Sequence, residues 1–127
     1  MNVPFNPSRG LIVIKAQLWG PTNDILLKLA LDTGATGTLI SQTRLMEVGY
    51  DPATDLERFQ ITTGSGTEFV PRVTLNRVVT LGQERVGFPV LCHNLPTNTR
   101  IDGLLGLDFF RGLNLNIDFR NGLITLS

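Results

Sequence analysis

The sequence predicts a single all-β domain with one or two short helices. Three features carry that expectation. Short runs dense in β-branched and large apolar residues recur along the chain, turn residues separate nearly all of them, and Leu113 to Phe119 alternates strictly between apolar and polar side chains. With 127 residues the chain fits one domain over its whole length and can bury about two-thirds of its unfolded surface.

Residues 11–19 read as a strand, broken by Gly20-Pro21-Thr22-Asn23-Asp24 before a second strand over 25–31, so the two form a hairpin. Residues 38–40 read as a brief strand. Ser41 is placed to cap a helix over 42–48, with Leu45 and Val48 at i, i+3 spacing and Gly49 at its end. The stretch 59–75 reads as two arms around a tip of Thr63, Gly64, Ser65, Gly66 and Thr67. Strands are expected over 77–82 and 84–92, followed by a loop from Asn94 to Thr99. Residues 101–112 pass from extended chain into one turn of helix. Asn121-Gly122 then turns the alternating strand 113–119 back into Leu123-Ile124-Thr125-Leu126.

Eleven basic and eleven acidic residues cancel, so no net positive charge points to nucleic acid or an anionic membrane. No stretch approaches the roughly 18 apolar residues of a membrane span, and the start, MNVPFNPSRG, has no apolar core of a signal peptide. A cytoplasmic location is the expectation. Charged residues make up 17% of the chain, against about 25% in an average domain, leaving surface apolar enough for self-association.

Cys92 is the single cysteine and His93 the single histidine, so no Cys/His cluster offers a metal-ligand set, a Ser-His-Asp triad has little support, and no metal or cofactor is expected. Neighbours on a strand point to opposite faces. The pair therefore reads as a buried thiol beside a surface histidine rather than a nucleophile and its base.

Asp32-Thr33-Gly34 directly follows Leu29-Ala30-Leu31 and precedes Ala35 and further small residues. An isolated Asp-Thr-Gly is a surface turn; at the end of a hydrophobic strand it holds a carboxylate near the core. The Gly-tipped hairpin and the segment Leu104-Leu105-Gly106 come later in the chain. A phosphate-loop reading of TGSGT fails because no helix follows and no lysine is placed to reach a phosphate.

LALDTGAT, TTGSGT and IDGLLGLDFF, in that order, resemble the retropepsin-like aspartic proteases, and the likeness runs from about residue 10 to the C-terminus. It is nearer to the cellular and bacterial members than to the viral enzymes. Viral members typically carry an arginine where Leu107 stands and acidic residues where Thr36 and Gly37 stand; both ends of that ion pair are absent here together.

The resemblance implies a closed-barrel acid-protease fold working as a homodimer, because one chain carries one Asp-Thr-Gly and the chemistry needs two carboxylates. It implies a peptide or protein substrate and names Asp32 as the catalytic residue. Thr33, Gly34 and Ala35 support it: Gly34 permits close approach of two such loops and the Thr33 hydroxyl bonds the partner's loop. Thr63, Gly64, Ser65, Gly66 and Thr67 become a flap, and Leu104, Leu105 and Gly106 a scaffold behind the Asp loop. Asp102 and Asp108, the rival acids, read as an acceptor within its own turn and a first-turn acid of the short helix. Trp19 and the Phe109-Phe110 pair read as core or interface. The alternative is a dimerisation or peptide-binding domain of the same shape with weak or absent cleavage.

Overall fold

The computed structural model describes residues 1–54, 58–64 and 66–127. Strand β1 spans Asn2–Pro4, β2 Val13–Trp19, β3 Asp24–Leu31 and β4 Leu39–Ile40. They are followed by β5 Arg58–Thr63, β6 Gly66–Thr80, β7 Gln83–Cys92, β8 Gly103–Leu105, β9 Leu115–Asp118 and β10 Leu123–Leu126. One α-helix, α1, spans Gln42–Glu47, and single 3-10 turns occupy Pro52–Thr54, Thr97–Thr99 and Leu107–Phe110.

Alternation along the strands decides which face turns inward. Ile14, Ala16 and Leu18 of β2 and Leu27 and Leu29 of β3 are buried, while Lys15 and Lys28 between them are exposed. Burying each such leucine contributes about 1.5–3 kcal/mol relative to leaving it in water. The strands run in the order β2-β3-β8-β4-β7-β6, and β6 pairs with β2 again to close a six-stranded barrel. β5 hangs from β6 outside that ring. A second, three-stranded sheet, β1-β10-β9, packs Leu115, Ile117, Ile124 and Leu126 against the same core.

Most expected elements appear within a residue or two of their predicted limits. Ser41 caps α1 by accepting from the Arg44 N–H at 3.3 Å, and Gly49, at φ +98°, ends it in the left-handed region. Phe109 and Phe110 are both buried, hence core. Leu81 and Gly82, at φ +53° and +73°, form the two-residue turn between β6 and β7, where both central residues need positive φ.

Three expectations are corrected. The strand expected over 77–82 is no separate element: β6 continues through Asn76, whose N–H donates to the Tyr50 hydroxyl at 2.7 Å. The alternating strand stops at Asp118, because Asp118 pairs with Leu123 and leaves Phe119 to Gly122 as a four-residue loop, with Phe119 turned edge-on to Phe5. Asn121-Gly122 therefore closes a longer loop than a two-residue hairpin. β1 escaped the sequence reading altogether, since its three residues form a strand only by pairing with β10 at the far end of the chain.

Tyr50 extends the seam of the barrel. Its hydroxyl donates to the Trp19 carbonyl at 2.8 Å and accepts from Asn76, joining β2 to β6 just beyond their last backbone pair, Trp19 with Arg77. Burial pushes the phenol pKa up, so the hydroxyl stays protonated and able to donate. Tyr50→Phe removes both bonds and should lower stability by about 1–2 kcal/mol, read as a lower urea midpoint in a single cooperative transition with unchanged slope.

Candidate active site

Asp32 stands at the C-terminal end of β3, where the barrel strand runs out into a loop. Its N–H donates to the Leu105 carbonyl at 3.0 Å, which extends the parallel β3–β8 pairing by one step and anchors the backbone beneath the carboxylate. Asp32 Oδ1 accepts from the Gly34 N–H at 2.9 Å, and a Cβ on Gly34 would lie 3.1 Å from that oxygen. Among the described residues Oδ2 has no protein donor. The carboxylate is half-buried rather than enclosed.

The loop after Asp32 is crossed by the chain that leaves β8. Leu107 N–H donates to the Ala35 carbonyl at 2.8 Å and Asp108 N–H to the Thr36 carbonyl at 3.2 Å. Gly106 is the closest point of the crossing: a Cβ there would meet Gly37 C and O at 2.7 Å and Ala35 O at 2.8 Å, all of them backbone. No side chain fits.

Thr38, 2% exposed, fastens the crossing. Its hydroxyl donates to Asp108 Oδ1 at 2.7 Å and accepts from the Gly106 N–H at 3.1 Å, while its own N–H donates to Asp108 Oδ2 at 3.0 Å. Asp108 does lie in the first turn of its 3-10 helix, but both carboxylate oxygens turn to Thr38. Asp102 also reaches beyond the turn expected for it. Oδ2 accepts from the Lys28 N–H on β3 at 2.8 Å and Oδ1 from Arg44 Nε on α1 at 3.1 Å. Hydrogen bonds that the Arg44 guanidinium donates to the Glu47 and Asp102 carboxylates hold its pKa up.

A groove of about 940 Å³ lies over this loop. Asp32, Gly34, Ala35, Thr36 and Gly37 line one side, Phe59 to Thr62 of β5 and Glu68 of β6 another, and Leu91 with His93 to Pro96 a third. Leu104 reaches the groove; Leu105 points into the core. Thr33 is exposed and lies outside the lining, as do Gly64, Gly66 and Thr67 at the end of the β5–β6 hairpin. Thr63 pairs with Gly66, which has φ +124°; a Cβ on either Gly64 or Gly66 would meet nothing within 4 Å. Ser65 lies outside the described residues. Among the described residues, the arms of the hairpin line the groove.

His93 is the groove residue that sequence reading missed as such. β7 alternates, so Cys92 enters the core while Leu91 and His93 face the groove. Burial pushes the Cys92 thiol up to about 11, partly opposed by Arg58, which leaves it protonated and inert at neutral pH. Among the described residues no three His, Cys, Asp or Glu side chains gather to hold a metal ion, and no helix is long and apolar enough to cross a membrane.

A closed six-stranded barrel whose Asp-Thr-Gly loop is crossed by a Leu-Leu-Gly strand has the architecture of an aspartic protease. Residues 21–112 match the family described as "gag-polyprotein putative aspartyl protease", and the chain belongs to the retropepsin-like aspartic proteases. It is similar in fold to the crystal structure of a retropepsin-like aspartic protease from Rickettsia conorii, with a TM-score of 0.76 and 22% identity, covering 100% of this chain and 89% of that one. No curated protein matches it.

Thr38→Val keeps the volume but strips the crossing of its hydroxyl, leaving the Gly106 N–H and Asp108 Oδ1 without that partner. Stability should fall by about 2–4 kcal/mol in urea denaturation, and Thr38→Ser should recover most of the loss.

Proposed function

We propose that the protein is an aspartic endopeptidase in which Asp32 from each of two identical chains activates one water molecule. The observation that carries this reading is the Asp32 carboxylate at the side of a large groove, held by Gly34 through one oxygen while the other has no protein donor among the described residues. One carboxylate takes a proton from the water as it attacks the peptide carbonyl; the other, protonated, donates to the carbonyl oxygen. The tetrahedral diol then collapses with protonation of the leaving nitrogen. No acyl-enzyme forms.

Two carboxylates brought together cannot both stay ionised without cost, and one shared proton relieves the repulsion. In this reading Thr33, exposed in the single chain, bonds the partner's loop, and Gly34 lets the two loops meet. Ala35 and the crossing strand Leu104, Leu105 and Gly106 set the height of the loop. The β5–β6 hairpin, from Thr63 through Gly64, Ser65 and Gly66 to Thr67, closes over bound peptide and excludes water.

Asp32→Asn retains the side-chain volume but has no basic oxygen to accept the proton. Cleavage of a denatured protein substrate should drop by at least about 10²-fold, with sedimentation and circular dichroism unchanged. Full activity in this variant would sink the mechanism; an equally inactive parent protein that still binds peptide would favour a binding domain.

A site completed by two chains loses activity as the chains separate. Activity per chain should decline on dilution over the concentration range in which sedimentation records dissociation. A monomer with undiminished specific activity would refute the shared site.

A further inference from the structure

We infer that Glu68, which His93 faces across the groove, makes the groove selective for substrates carrying a lysine or arginine side chain. The inference rests on the groove being the peptide site. Glu68 lies on β6 beyond its last pair with β7, Arg72 with Leu91, and His93 directly follows the end of β7 beyond the same pair. The two therefore face each other where the hairpin leaves the barrel. His93 Nε2 and Glu68 Oε2 are 3.5 Å apart, with side chains 30% and 48% exposed, and both line the groove.

The charge around them is one-sided. Asp32 and Glu68 are the acidic residues among the groove's lining, and no lysine or arginine lines it among the described residues. The hairpin's Arg58 and Arg72 lie outside the lining, and Arg72 stacks its guanidinium over Phe59 at 4.5 Å. The neighbouring walls are apolar or neutral, with Phe59, Ile61, Leu91 and Leu95 among them.

In the open groove the Glu68 carboxylate is hydrated. An extended peptide lying beneath the hairpin displaces that water, and a carboxylate losing its water needs an opposite charge or pays for the loss. A lysine or arginine side chain supplies the charge; a neutral one leaves the carboxylate unpaired, and an acidic one repels it. Discrimination thus comes from the penalty on wrong side chains as well as from attraction to the right one. A fixed cation in place of His93 would satisfy the carboxylate and erase the preference.

The test uses the full chain and peptides that place lysine, norleucine or glutamate at successive positions. Affinity is measured on the Asp32→Asn variant, which holds peptide without cutting it, and kcat/KM on the unaltered protein. At one position lysine should exceed norleucine about five- to tenfold, with glutamate weakest. Glu68→Gln should bring the lysine-to-norleucine ratio below about twofold. Glu68→Lys should reverse the order toward glutamate, and His93→Arg should flatten it with Glu68 intact. Absence of a lysine preference at every position, or an undiminished ratio in Glu68→Gln, overturns the inference. Selective binding that depends on Glu68, in a chain that cuts no peptide, would uphold it while removing the protease reading.

Discussion

The hydroxyl of Thr38 is the fixed point of the site. It lies where two loops separated by most of the chain pass over each other, and it satisfies a donor on one and an acceptor on the other: Gly106 N–H and Asp108 Oδ1. With one proton and two lone pairs, a hydroxyl suits a buried crossing that offers it both a donor and an acceptor. Gly106 permits the approach, because any Cβ would strike the backbone of Ala35 and Gly37. Asp32 is then held through its backbone by Leu105, so the position of its carboxylate follows from the crossing.

What the sequence displayed was what neighbouring residues decide. An apolar strand running straight into Asp-Thr-Gly, a serine before a helix and a glycine after it, and alternation through Leu113 to Ile117 are local patterns, and each reappears as structure. Contacts between distant residues left no such trace. Asp108 looked like a helix-end acid because its partner, Thr38, lies 70 residues away, and Asp102 looked like a turn acceptor because Lys28 is 74 residues away. His93 was different: the alternation that sends Cys92 inward already sends His93 outward. What it could not say is that outward there means into a groove.

β6 joins the barrel to the hairpin above it. Its Arg72–Thr80 portion is paired with β7, and part of it with β2, whereas its Gly66–Pro71 portion is paired with β5 alone. Pro71, which has no N–H to donate, stands at the change of partner. A two-stranded ribbon has far less to hold it than a closed barrel, so its local opening requires less free energy than unfolding the core. The same continuous strand is thereby held by several neighbours at one end and by β5 alone at the other, and Glu68 belongs to the less constrained end.

Leu107, Thr36 and Gly37 show how this chain differs from the viral enzymes it resembles. Where those typically carry an arginine and acidic residues that form an ion pair, Leu107 contributes its backbone N–H to Ala35 O, and Thr36 accepts from Asp108 N–H through its carbonyl. In this chain the crossing is held by main-chain hydrogen bonds, supplemented by the Thr38–Asp108 pair. Exposed ion pairs weaken as salt screens them; backbone bonds between neutral groups do not. The loss of both ends of the ion pair is therefore one substitution in physical terms. It leaves a crossing whose geometry is set by close backbone approach, which makes Gly106 and Thr38 the residues on which the placement of Asp32 depends.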